Sequence, residues 1–109
     1  MPTIYKVLGQ SAPSATTATT LYTVPSATAT VASTIVVANR SGSAATYRIA
    51  VRPAGASLAN QHYIAFDATV SANDATAITV GLTLATTDVV TVYASTADLS
   101  FNLFGSEIS

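Results

Sequence analysis

Short runs rich in Val, Ile, Thr and Tyr, cut by turn signals at regular spacing, restrict this chain's folds more than any other feature. Residues 44–52 show the pattern most clearly. Tyr47, Ile49 and Val51 fall on one side, and Arg48, Ala50 and Arg52 on the other. Such a period of two is that of a half-buried strand, because successive side chains on an extended backbone point to opposite faces. β-Branched and aromatic residues suit that surface. Alanine is abundant and favours helix in isolation. Here it sits among Thr and Val, and no stretch of ten residues has helical apolar spacing.

Eight strands are expected, at 3–8, 19–24, 29–38, 44–52, 61–70, 75–84, 89–95 and 99–104. In the first, Ile4, Lys6 and Leu8 oppose Tyr5 and Val7. The fifth runs through His62, Ile64 and Phe66, and the sixth places Ile78, Val80 and Leu82 together. Gly, Pro, Asn and Asp mark the breaks, at Gly9–Pro13, Pro25, Asn39–Ser43, Pro53–Gly55, Ser71–Asp74, Thr86–Asp88 and Thr96–Asp98. Residues 1–17 are expected to form an N-terminal arm plus loop, and 105–109 a short tail. Strands at this spacing predict an all-β chain: one antiparallel β-sandwich domain over residues 1–109, jelly-roll-like. An immunoglobulin-like sandwich is the nearest alternative, without the Trp and paired cysteines common in antibody-type domains.

Charge is scarce. Charged residues make up 8% of the chain, against roughly 25% in an ordinary soluble domain. Residues 7–39 carry none, nor do 75–87. Ala, Thr and Ser fill 51 of the 109 positions. Four basic residues and a net charge of -1 argue against nucleic acid as a partner, since neutralising phosphates takes several cationic contacts. No run is long and apolar enough for a membrane span. A surface so poor in ions is expected to be covered by other subunits, because obligate interfaces are depleted in charge.

The residues offer little catalytic chemistry. Without cysteine there is no disulfide, thiolate metal site or thiol nucleophile. His62 is the one histidine, and no nucleophile elbow accompanies it. Asp74, Asp88 and Asp98 fall at turns, where Asp bonds the local backbone. No phosphate-binding glycine loop is present. No enzyme activity, cofactor or metal is therefore expected. Asn39-Arg40-Ser41 matches a glycosylation sequon, a triplet that arises often by chance.

Contact with neighbours leaves six candidate interface residues: Ile4, Tyr5, Val7, Arg48, Arg52 and Phe104. Phe101 and Phe104 differ by three, so they face opposite sides of the last strand, and only one shares the core with Leu99 and Leu103. Arg48 and Arg52 share a strand face. They either form a solvated surface or reach a carboxylate on another subunit or the sheet beside them. Asp67 is a candidate partner for Arg48, Arg52 or Arg40.

Several strings carry a likeness: Tyr5-Lys6-Val7-Leu8-Gly9-Gln10, Leu21-Tyr22-Thr23-Val24-Pro25, and Ser33-Thr34-Ile35-Val36-Val37-Ala38-Asn39-Arg40. Tyr47-Arg48-Ile49-Ala50-Val51-Arg52-Pro53 and Phe101-Asn102-Leu103-Phe104-Gly105 continue it. Through them the chain resembles a family of short virion proteins of tailed bacteriophages, especially cyanophages and marine phages. The resemblance implies a structural component of the particle. A capsid decoration (cement) protein is favoured, on the outer surface of the shell. It is expected to form a homo-oligomer, a trimer by preference, bridging major capsid proteins. A tail, neck, baseplate or fibre module of the same virion, serving as an adaptor or as a receptor contact, is the alternative. Thr28-Ala29-Thr30 has the form used by ice-binding surfaces, a more remote alternative.

Overall fold

The computed structural model describes residues 2–109. Eight strands form: β1 (Thr3–Ser11), β2 (Thr19–Thr23), β3 (Ala29–Asn39), β4 (Ala45–Arg52), β5 (Tyr63–Val70), β6 (Ala75–Leu84), β7 (Val89–Ala94) and β8 (Leu99–Ile108). Single 3-10 turns at Pro53–Gly55 and Asn60–His62 lie between β4 and β5. Among the described residues no helix is long and apolar enough to cross a membrane.

The strands form two four-stranded sheets, ordered β1-β8-β3-β6 and β2-β7-β4-β5. Every neighbouring pair is antiparallel. The wiring becomes simple if the chain is pictured folded in half at residues 53–62. Then β1 pairs β8, β2 pairs β7, β3 pairs β6 and β4 pairs β5. Rolling that double ribbon brings β3 against β8 and β4 against β7. This is a jelly roll, as the strand spacing predicts.

The alternation fills the space between the sheets. Ile35, Val37, Leu99, Phe101 and Leu103 from one sheet meet Tyr47, Ile49, Val90, Val92 and Ala94 from the other. Tyr47 and Phe101 meet edge to face, with ring centroids 6.3 Å apart. Each fully buried side chain of this size contributes about 1.5–3 kcal/mol. Ile78 and Leu82 pack on the same core; the Val80 side chain, expected beside them, lies outside the described residues.

Two expectations about the termini are corrected. Residues 105–109 are not a tail. Gly105 to Ile108 continue β8 between Lys6–Thr3 of β1 and Ala32–Ala29 of β3, so backbone groups on both sides are paired. Gly105 is essential there, since a β-carbon would run into the Val31 carbonyl. The expected arm is a strand of the chain's own sheet: β1 extends to Ser11 and pairs with β8 along its length, apart from a bulge at Leu8. A third correction concerns Ala50. It points away from the core, as expected, yet it is buried, because the Asn60–His62 turn packs on β4 and Tyr63 pairs with it.

Candidate functional site

The strands sort the charges sharply. β1, β8, β3 and β6 carry two charged residues in all, Lys6 and Glu107. These pair with each other at 3.2 Å. The outer face of that sheet presents Tyr5, Val7, Val31, Ser33, Asn102 and Phe104, with small residues such as Ala75 and Ala77 toward β6. Near the β1 end, Tyr5, Val31, Ser33, Phe104 and Ser106 line a shallow groove of about 500 Å³. Tyr5 is 84% exposed, and Val7 and Val31 also stand open to solvent on this face; Ile4 is exposed on the opposite side of β1. Contiguous apolar exposure of this kind marks contact surfaces.

A polar chain underlies the groove. Lys6 Nζ donates to Glu107 Oε1, and the Tyr22 hydroxyl donates to Glu107 Oε2 while lying 2.8 Å from Thr30 Oγ1. Burial, reinforced by the hydrogen bond to Glu107, pushes the Tyr22 phenol up to about 12. The same bond, helped by Lys6, holds the Glu107 carboxyl below its ordinary value against the opposing effect of burial. Thr30 is fully buried in this chain, so Thr28 and Thr30 do not form a row open to water.

Arg48 and Arg52 lie on the outer face of the other sheet, and both are engaged within the chain. Arg48 Nε donates to Asp67 Oδ1 at 2.7 Å and its NH2 group to Oδ2 at 3.3 Å. Its guanidinium carbon stands 4.1 Å from the Phe66 ring centroid and 4.4 Å from that of Tyr93. Tyr63 meets Phe66 edge to face at 4.9 Å. Arg52 instead donates to Thr91 Oγ1 and to the carbonyls of Gly55 and Ala56, fastening the turn after β4. The six candidate residues therefore divide: Ile4, Tyr5, Val7 and Phe104 belong to the groove sheet, and the two arginines to the opposite one.

The sequence pattern missed the aromatic gathering around Arg48. A bulge explains why. Arg48 faces two residues of β5, Phe66 and Asp67, and Asp67 has a φ of 53°. Asp tolerates that left-handed conformation better than most residues. The extra residue shifts β5 so that Ile64 and Phe66 are exposed while Ala65, Ala68 and Val70 face the core. Val31 was hidden from sequence reasoning too: its parity matches that of the core residue Ile35, and only the register shift between Ala32 and Thr34 turns it outward.

The remaining polar residues serve the fold. His62 Nδ1 accepts the Ala59 N–H at 3.0 Å, which leaves the ring proton on Nε2. Asp74 caps Ala75 N–H, and Asp88 accepts from Ala54 and Ala85 N–H groups. Asn39 is buried; its amide donates to the Ser43 and Ser71 carbonyls, and its oxygen accepts from Ser41. The amide that a glycan would need is thus held inside. Among the described residues no three His, Asp or Glu side chains gather as a metal site. Set against known proteins, the chain matches no family model, no curated protein and no solved structure.

Proposed function

We propose that this chain is a structural protein of a tailed-phage particle, a capsid decoration protein that works by being buried against its neighbours. The observation that carries the proposal is the uncharged outer face of the β1-β8-β3-β6 sheet, with its apolar groove at Tyr5, Val31 and Phe104. Leaving that face in water forgoes about 25 cal/mol for each Å² of apolar surface that a neighbour could cover. Covering it buries no unpaired charge, because Lys6 and Glu107 already satisfy one another. Copies joined as a homo-oligomer, a trimer by preference, would lie across joints between major capsid proteins and add buried area that resists internal pressure. The resemblance of strings such as Tyr47–Pro53 to short virion proteins supports the same role.

A second reading places the chain at the tail or a fibre, as a receptor-contact module. The gathering of Tyr63, Phe66 and Tyr93 beside the Arg48–Asp67 pair favours it, since exposed aromatics beside an acid are typical of glycan contacts. Quantitative mass spectrometry of purified particles separates the two, followed by labelling of the chain for electron microscopy. Decoration requires a fixed stoichiometry with the major capsid protein and label over the shell. A few copies at the tail would favour the second reading, and absence from the particle would overturn both.

A further inference from the structure

The four edge strands are not rooted alike. β2 buries Leu21 and Tyr22, β5 buries Val70, and β6 buries Leu84 with Ile78 and Leu82 packed on the core. β1 buries Leu8 alone. Thr3 to Val7 are all exposed, and Ile4 on one face and Tyr5 and Val7 on the other put apolar side chains into solvent. β1 is held by its backbone pairing with β8, by the Lys6–Glu107 ion pair, and by a hydrogen bond from Gln10 Nε2 to Asn102 Oδ1 at 2.7 Å. A strand with one partner and so few buried apolar contacts is the segment that opens most readily. We propose that copies of this chain exchange β1, so that β1 of one copy pairs with β8 of the next. This deepens the proposed function and rests on it, by naming the contact that builds the homo-oligomer.

The β8 edge selects its own occupant. When β1 lifts away, it uncovers the backbone N–H and C=O groups that β8 presents to it between Phe101 and Ile108, and an extended strand must satisfy them. β1 fits there through particulars of its sequence. Its register shift falls between Val7 and Gly9, and at Gly9 a β-carbon would run into the Leu21 carbonyl. Lys6 meets Glu107, and Gln10 meets Asn102. A second copy's β1 reproduces every one of these contacts. The exchanged pairing is therefore as strong as the closed one, and the balance is decided by the loop and by new contacts between the two bodies.

Both favour exchange. Residues 12–18 carry the chain from β1 in one sheet to β2 in the other, and within them Thr16 takes a φ of 55°. That left-handed conformation is unfavourable for a β-branched residue, and a straightened loop releases it. At about 3.3 Å per residue the extended loop reaches about 23 Å, against about 10 Å between packed sheets, so it is long enough to hand β1 to a neighbour. The two bodies then meet beside β1, where Ile4 and Tyr5 gain a covering surface; in the closed chain they stay in water. Exchange between two copies closes a dimer. Passed around three it closes a ring, consistent with the trimer favoured for the decoration role.

Cross-strand thiols report whose β1 is paired, since the chain has no cysteine of its own. Gln10→Cys with Asn102→Cys sets one thiol on β1 and the other opposite it on β8. Val36→Cys with Ala77→Cys does the same for β3 and β6, which stay within one copy. Circular dichroism and thermal melts establish folding, and free-thiol counts establish closure. Tyr5→Cys with Ser106→Cys replaces the first pair if it misfolds or stays reduced. Light scattering at micromolar concentration gives the parent's mass, and the oxidised variants are run on denaturing gels without reductant. The expected result is an oligomeric parent, covalent dimers or trimers from the β1–β8 pair that collapse to monomer on reduction, and covalent monomer from the β3–β6 pair. Gln10→Cys alone and Asn102→Cys alone should run as monomers. Thr16→Gly should shift the parent several-fold toward monomer, by easing the turn that folds β1 back. Covalent monomer from the β1–β8 pair beside an oligomeric parent would overturn exchange while leaving the decoration role standing. A monomeric parent would also overturn it, and the particle stoichiometry would still decide the decoration role.

Discussion

Tyr22, Glu107 and Lys6 tie three strands together, and the titration of Tyr22 and Glu107 makes stability depend on pH at both extremes. Glu107 has a lower carboxyl pKa in the fold than its ordinary 4.5. As pH falls, the unfolded chain takes up that proton first. The stabilisation is therefore complete above about pH 4.5 and is lost as pH drops through the lower folded value. Tyr22 behaves oppositely. Its phenol ionises at about 12 in the fold and near 10.0 when unfolded. Stability from this group holds below pH 10 and erodes between about pH 10 and 12. Urea titrations across pH should show Glu107→Gln flattening the acid limb and Tyr22→Phe flattening part of the alkaline one. At Gly105, alanine should cost about 1–3 kcal/mol, the usual penalty for overpacking, because its β-carbon meets backbone rather than a movable side chain. Asn39→Ala should cost about 1–3 kcal/mol by removing a buried amide that bonds part-buried carbonyls, and chemical denaturation measures both.

Among the elements, the edges differ in how they discourage pairing with stray strands. β5 has two register shifts and carries Asp67, and β2 is five residues long and followed by Pro25. β6 is ten residues long and uncharged, with one register shift opposite Ala32–Thr34. It is the edge most open to aggregation. Ala77→Lys, on its exposed outer side, should change stability by less than about 0.5 kcal/mol while raising the concentration at which the protein precipitates. Strands of this kind were legible in the sequence because each carries its own alternation and ends at its own turn. All eight were placed, and most boundaries lie within two residues. β8 was cut short at Phe104 because Gly105-Ser106-Glu107 has no strand preference of its own. Those residues are extended because β1 and β3 flank them on both sides. The Arg48 cluster was illegible for a related reason. Its members come from β4, β5 and β7, so strand order and the Asp67 bulge had to be known before they could be brought together. Tyr5, Val7 and Phe104 could each be singled out as contact candidates from parity within their own strands, but that they share one outer face follows only from the pairing of β1 with β8.

At the scale of the whole molecule, the two sheets are chemically unlike. One holds Arg48, Arg52 and Asp67, each engaged in polar contacts, while the other offers an uncharged outer face, its one ion pair lying on the inner side toward Tyr22. Association through that face should depend weakly on salt, because apolar burial supplies it and the face carries no charge to be screened. Raising ionic strength from 0.1 to about 1 M, which shortens the Debye length from about 10 to 3 Å, should leave the oligomer's mass unchanged and weaken its dissociation constant only a few-fold. The absence of cysteine allows the central claim, that this face is covered by protein, to be tested with a single introduced thiol. Tyr5→Cys in the groove and Ser43→Cys at a distant turn can each be labelled with a maleimide across a range of protein concentrations. Burial of the face requires labelling at position 5 to slow as assembly proceeds while position 43 keeps its rate; equal and constant rates at both positions would contradict it.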